Sequence, residues 1–396
     1  MNRYSSFSKS SIELPAPSAD ALAHSTQLAQ VIHEHIQQSA QYAISFEQYM
    51  QLALYAPGFG YYAVGTEKFG QAGDFITAPE ISPLFGNCIA HQCVEVFNEL
   101  SSDKNILELG AGSGKLAKAI LEHLDEMAQL PTGYFILEVS PDLKAKQKQF
   151  LSQHLSPKLF EKCQWLETLP HEFSGFVLAN EVLDALAVKR FVWTEKNCYE
   201  IFVATNESGF VEKLSPADKE LVDEILALHE KYGYEWPDNY SSEINQQMSG
   251  LLRSLAHMLK KGMLLLIDYG FPANEFYHPQ RNKGTLVCHY RHHVHNDPYF
   301  LPGLQDITSH VDFTRAAEVA TEAGLEVSGF TTQAGFLLGS GLLENVSEDL
   351  ATQLKLNQQI QLLTSPAEMG ELFKVLALNK NCAVPLLTVD FFVRSL

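Results

Sequence analysis

The chain has 396 residues and 46% apolar content, enough to fill one large core or two moderate ones. It carries 28 Lys+Arg against 47 Asp+Glu, a net charge of −19. That balance argues against a nucleic-acid-binding surface, which needs cation excess, and suits a basic protein or peptide partner. No apolar run approaches the roughly 18 residues of a membrane span, and six cysteines with no Cys-x-x-Cys pair argue against structural zinc and a disulfide framework.

Residues 1 to about 20 read as an unstructured start, with Pro15 and Pro17 among small polar residues. The first twelve are Ser-rich but contain only Arg3 and Lys9 as cations. This favours a bacterial cytoplasmic protein, with the mitochondrial matrix as the alternative. Leu22, Leu28, Val31, Ile32 and Ile36 predict a helix over 20–38, and Ser45 with Gln48 forms a capping-box pattern opening a second helix through Leu54. Pro57-Gly58 stops it, and Phe59, Tyr61 and Tyr62 read as packing residues. The stretch Gly70 to Gly86 is a polar loop, with Ser82 and Pro83 placed to cap a helix running to about Glu99. Residues 21–100 thus form an N-terminal helical segment whose loop can cover a ligand through Asp74, Thr77 and Glu80.

Residues 101–396 read as an α/β core. Ile106, Leu107 and Leu109 form a strand, Gly110, Gly112 and Gly114 a turn, and Leu116, Ile120 and Leu124 a helix. Further strands are predicted at 133–139, 163–166, 175–179 and 264–267, with the last two near 324–330 and 372–378. Apolar strands alternating with helices predict a doubly wound, seven-stranded Rossmann-like sheet. Two insertions interrupt it. The first, about 191–260, holds a hairpin at 191–204, a helix opening at Ser215-Pro216-Ala-Asp218 and closing near Gly233, and a helix over 242–261 with Gly262 beyond its end. The second, 271–313, is polar and loop-rich. Phe313 to Ala323 and about 344 to 363 read as helices.

A glycine turn opening a helix is a nucleotide-cofactor site. The spacing Gly110-x-Gly112-x-Gly114 departs from Gly-x-Gly-x-x-Gly, and no phosphate-binding Gly-Lys-Ser/Thr follows. Glu108 is unwelcome beside a pyrophosphate but suits an ammonium. Glu138, ending the second strand, can accept two ribose hydroxyls. S-adenosylmethionine (SAM) fits these demands better than NAD. The histidines at 289, 292, 293 and 295 match neither a zinc finger nor His-Glu-x-x-His, so no metal is expected.

The chain resembles the MidA-type methyltransferases, which include a mitochondrial arginine methyltransferase that assists assembly of respiratory complex I. The resemblance runs from about Ile44 to about Lys380. Its most specific stretch is Gly73-Asp-Phe-Ile-Thr-Ala-Pro-Glu-Ile-Ser-Pro-Leu-Phe-Gly86. Glu108-Leu-Gly-Ala-Gly-Ser-Gly114, Ala179-Asn-Glu-Val-Leu-Asp-Ala185, Asp268-Tyr-Gly270 and Gln305-Asp-Ile-Thr-Ser-His-Val-Asp-Phe313 continue it. Ala187 stands where the family carries Pro. The resemblance implies a class I methyltransferase fold, SAM, and a protein arginine as acceptor, with a complex I subunit as the extrapolated target. A non-catalytic SAM-binding assembly factor and, more remotely, an NAD-dependent oxidoreductase are the alternatives. Carboxylates can hold a guanidinium fork, and Glu181 and Asp184, just past the fourth strand, are placed for this. Asn180 can help position SAM or substrate, and His310 and Asp312 are candidates to take the released proton. Asp268 reads as a strand-end cap.

Overall fold

The apolar runs read as strands all enter one sheet. The computed structural model describes residues 14–63, 77–344, 349–389, 394 and 396; Asp74 and residues 1–13 of the expected unstructured start lie outside them. The strands are β1 (Asn105–Leu109), β2 (Tyr134–Leu137), β3 (Cys163–Leu166), β4 (Phe173–Asn180), β5 (Leu259–Phe271), β6 (Glu326–Thr332) and β7 (Phe373–Lys380). Their spatial order is β3-β2-β1-β4-β5-β7-β6, with β7 antiparallel to both neighbours and β1 to β5 mutually parallel. This is the class I methyltransferase sheet that the sequence leads one to expect. A short additional strand, Val311–Asp312, pairs with the carboxyl end of β5.

Period-two alternation divides the strand side chains between two cores. Ile106, Phe176, Leu265 and Val375 face the helices Pro83–Glu99 and Lys115–Glu126. Leu107, Val177, Leu264 and Leu376 face Gln246–Met258 and Phe313–Glu322. Both layers are fully buried, and each such Leu or Ile contributes about 1.5–3 kcal/mol relative to exposure.

The helix expected over 242–261 is corrected. Tyr240–Ile244 is a strand, the helix is Gln246–Met258, and β5 begins at Leu259. Gly262 does not follow a helix end; it lies inside β5, where an added Cβ would stand 1.8 Å from the Gly175 carbonyl oxygen. A glycine chosen for close backbone approach has the same sequence signature as one ending a helix. Because Gln246–Met258 packs on the main sheet, the material inserted between β4 and β5 ends near Ile244. That insertion is larger than a hairpin: Lys189–Thr194, Asn197–Asn206, Gly209–Pro216, Tyr240–Ile244 and Ile44–Ser45 form one five-stranded sheet. The 271–313 insertion contains a three-stranded sheet of Val287–Tyr290, His293–His295 and Asp306–Thr308.

The N-terminal helices Ala19–Gln38 and Phe46–Tyr55 join these insertions and not the main sheet. Leu28, Ile32, Phe46, Tyr49 and Met50 share a core with Val203, Cys288 and Ile307. The capping box is present: Gln48 N–H donates to Ser45 Oγ at 3.1 Å, and Ser45 N–H to Gln48 Oε1 at 3.3 Å. Ser82 caps Pro83–Glu99 as expected. The helix expected at 344–363 is Leu350–Thr364, and the apolar stretch Gln333–Gly339 adds a helix the periodicity did not mark.

Candidate active site

Parallel strands leave their carboxyl ends at one edge of the sheet, and a cavity of about 830 Å³ lies there. Its floor is the ends of β1, β2 and β4. Its roof is Tyr55, Tyr61 and Tyr62 of the N-terminal segment with His289, Asp306 and Thr308 of the second insertion.

The glycine turn leaves β1 with Gly110, Gly112 and Gly114 at φ 61°, 51° and 84°. These are left-handed conformations that glycine adopts without strain. Gly110 N–H donates to Leu137 O at 3.0 Å, tying the turn to β2. Gln147, fully buried on the helix Pro141–His154, was not foreseen. Trp165 donates its indole N–H to Gln147 Oε1 at 3.1 Å. The amide nitrogen is thereby oriented to donate to Gly112 O at 3.1 Å and to Glu138 Oε2 at 2.8 Å. Ser140 N–H donates to Glu138 Oε1 at 2.9 Å. Glu108 accepts the Tyr134 hydroxyl at 2.8 Å, and burial pushes its carboxyl up to about 7. Glu138 follows β2 while Gln147 sits inside the next helix, so only the fold brings them together.

The N-terminal segment is fastened to this turn. Glu80, its side chain 4% exposed, accepts from Ser113 Oγ and from Lys115 Nζ, both at 2.5 Å. Thr77 sits at the N-cap position of the short helix Ala78–Ile81, without a side-chain capping bond, and lines the cavity.

The expected acids past β4 line the same cavity. Glu181 has φ 53°, left-handed for a residue with a Cβ, while its N–H still bonds Ile267 O at 2.9 Å. Such a conformation costs about 1–3 kcal/mol and persists only where its surroundings impose it. Asn180 donates its amide to Glu181 Oε1 at 3.1 Å. Burial, then repulsion from Asp184, pushes the Glu181 carboxyl up to about 8; burial pushes Asp184 up to about 6. Asn180 Oδ1 and Asp184 Oδ1 are buried with no hydrogen-bond partner. Asp268 accepts N–H groups from Leu183, Asp184 and Tyr269 at 3.0, 3.3 and 2.9 Å, clamping the loop as a strand-end cap.

Two expected proton acceptors are placed elsewhere. Asp312 Oδ1 accepts Arg315 N–H at 3.0 Å as the N-cap of Phe313–Glu322, outside the cavity lining. His310 stacks on Phe271 at 5.2 Å, with Nδ1 3.2 Å from Thr285 O, one layer behind Tyr269. Burial pushes it down to about 4, so it is neutral and also outside the lining. A polar residue beside a helix start carries both readings in sequence; the cap occupies Asp312.

Among the described residues the lining contains seven carboxylates (Glu80, Glu108, Glu138, Asp142, Glu181, Asp184 and Asp306) and no lysine or arginine. His289 is held neutral by burial, down to about 4. Such a wall repels a pyrophosphate and welcomes a cation. SAM would fit it: the carboxylates of the lining suit its cationic groups, and Glu138 can accept ribose hydroxyls. Glu108, Gly110, Gly112, Gly114, Glu138, Asn180, Thr77 and Glu80 are the residues that can hold it.

A family model described as "Putative S-adenosyl-L-methionine-dependent methyltransferase" matches residues 88–331. The protein arginine methyltransferase NDUFAF7 homolog, mitochondrial, of Drosophila melanogaster is 31% identical over 85% of this chain and 81% of its own. The Danio rerio protein arginine methyltransferase NDUFAF7, mitochondrial, is 29% identical over 84% and 82%. A solved structure from Burkholderia thailandensis, bound to S-adenosyl-homocysteine, is 38% identical with a TM-score of 0.91, covering 97% of this chain and 99% of that one.

Proposed function

The chain belongs to this family of S-adenosyl-L-methionine-dependent methyltransferases, and from that premise we propose that it methylates an arginine side chain of a protein. The observation that carries the acceptor is the cluster beyond β4. Glu181 and Asp184 face one cavity in which Asp184 Oδ1 and Asn180 Oδ1 lack donors. A guanidinium offers five N–H donors and a positive charge, and so satisfies both deficits. The arginine relatives support this reading by name.

SAM, when bound, supplies a methyl group already made electrophilic by its sulfonium. The chain's contribution is approach and alignment. Glu108, the glycine turn and Glu138 hold the cofactor, and Thr77 and Glu80 close the segment over it. Glu181 and Asp184 orient the planar guanidinium and expose one nitrogen. Their raised carboxyl values let one of them take the proton released as the nitrogen is methylated. His310 and Asp312, bonded elsewhere, are not part of this step.

Among the described residues no helix is long and apolar enough to cross a membrane. The family resemblance extends the proposal to a subunit of respiratory complex I as acceptor; the sequence favours the bacterial cytoplasm as compartment, and the curated relatives, named mitochondrial, support the matrix as the alternative. The test is transfer of labelled methyl from SAM to a Gly-Arg repeat peptide and to a Gly-Lys peptide of equal length, followed by amino-acid analysis. Methylarginine from the first alone is expected; label in lysine alone, or in neither, overturns the arginine assignment.

A further inference from the structure

One of the seven carboxylates of the described lining comes from the second insertion. Asp306 opens a strand of the second insertion, paired antiparallel with Val287–Tyr290, and reaches the same cavity as Glu181 and Asp184. Its Oδ1 accepts the N–H of Ile307 at 3.0 Å, and its Oδ2 accepts the Tyr62 hydroxyl at 2.9 Å. Tyr62 stacks on Tyr55 with ring centroids 5.5 Å apart and planes at 22°. Tyr55 in turn donates its hydroxyl to Ala185 O at 3.0 Å, beside Asp184. The N-terminal segment thus ties Asp306 to the loop that carries Asp184.

We propose that Asp306, oriented by Tyr62, is a further contact to the acceptor guanidinium beside Asp184, and that this pairing favours arginine over lysine. The inference rests on the arginine-acceptor reading and names which additional groups enforce it. A planar fork can bond carboxylates on two separate chain segments at once, and each bond then fixes its plane. A lysine ammonium is a compact charge that needs only one of them. The charge pattern agrees: Asp306 adds to the repulsion that raises Glu181, and no lysine or arginine of the described lining offsets it.

Two variants test this, Asp306→Asn and Tyr62→Phe, each assayed for kcat and KM on the Gly-Arg peptide, for competitive inhibition by the Gly-Lys peptide as the measure of preference, and for S-adenosylhomocysteine affinity by calorimetry. Losing one charged hydrogen-bonding partner should raise KM for the arginine peptide about 10-fold or more. S-adenosylhomocysteine affinity should stay within about twofold, because Asp306 stands outside the groups that hold the cofactor. Tyr62→Phe removes only the orienting hydroxyl and should raise the same KM about threefold, with kcat less affected. In both, the preference for the arginine over the lysine peptide narrows. An arginine-peptide KM within about twofold of wild type in folded Asp306→Asn, while Glu181→Gln still lowers transfer about 100-fold, overturns the role of Asp306 and leaves the arginine reading intact. If Asp306→Asn does not fold, Tyr62→Phe decides: an unchanged KM and unchanged preference overturn the proposal. Failure of the wild-type protein to methylate the arginine peptide removes the underlying reading and this inference with it.

Discussion

The two halves of the cavity differ in how complete they are. On the cofactor side, Glu138, Gln147, Trp165 and the Gly112 carbonyl form a closed chain of hydrogen bonds, and Glu80 is paired with Ser113 and Lys115. On the side proposed for the acceptor, Glu181 is held in a left-handed turn, carboxylates repel one another, and two buried oxygens lack donors. The first half is preorganised by the chain alone. The second is an arrangement of hydrogen-bond acceptors that, on the proposed function, a cation rich in N–H groups would complete. A cofactor used by every turnover can be met by a rigid cradle, whereas a site that is electrostatically satisfied only by the correct side chain rejects others through unpaired groups.

The comparison breaks most clearly at the glycine turn. Gly112→Val puts a β-branched residue at φ 51°, next to the carbonyl that Gln147 holds. S-adenosylhomocysteine affinity measured by calorimetry should fall about 100-fold or more; unchanged affinity in the folded variant would remove the turn from the site. Glu181→Gln attacks the other half. Methyl transfer should fall about 100-fold while S-adenosylhomocysteine affinity stays within about threefold, a split read by single-turnover kinetics beside calorimetry. Retained activity would exclude Glu181 from the transfer step.

Smaller effects sharpen the boundary. Gln147→Leu leaves Glu138 with one fewer donor and frees the Gly112 carbonyl, so cofactor affinity should weaken about 10-fold. A double-mutant cycle with Glu138→Gln should be non-additive, because Gln147 acts through that carboxylate; additive losses would make its contribution merely structural. Stability supplies the mildest test. The Glu181 carboxyl lies near 8 in the fold against 4.5 ordinarily, so the folded protein binds the extra proton. Its contribution is full below 4.5 and is lost as pH rises towards 8. Asp184, at about 6, acts in the same direction. Thermal melts of ligand-free Glu181→Gln should therefore exceed wild type by roughly 2–5 °C at pH 8, and the gain should shrink at pH 5. An equal shift at both would remove the proton from the explanation.

The same contrast explains what could be read from the chain. The sheet was legible because each strand is a short apolar run buried on both faces, and the glycine turn because its spacing has a backbone cause. Glu108 and Glu138 follow from their positions at strand ends, and both line the cavity. Asp306, Tyr55 and Tyr62 were not assigned to the site, although Asp306 lies within a stretch that carries the family resemblance. Their role depends on two inserted sheets and the N-terminal helices folding together, which no local period encodes. Gly262 was misread, and Asp312 stands as a helix cap outside the cavity lining, because one residue type serves two purposes, a helix end or a close strand contact, a helix cap or a proton acceptor. The fold decides between them.

The central claim is that the acid cluster beyond β4 is completed by a cation. Calorimetric titration of the Gly-Arg peptide into the S-adenosylhomocysteine-saturated protein at pH 7, repeated in buffers of different ionisation enthalpy, counts protons exchanged. The account predicts release approaching about one proton, as the guanidinium drives Glu181 and Asp184 to their charged forms, and release that falls sharply in Glu181→Gln. Binding with no proton exchange, or with proton uptake, would contradict it.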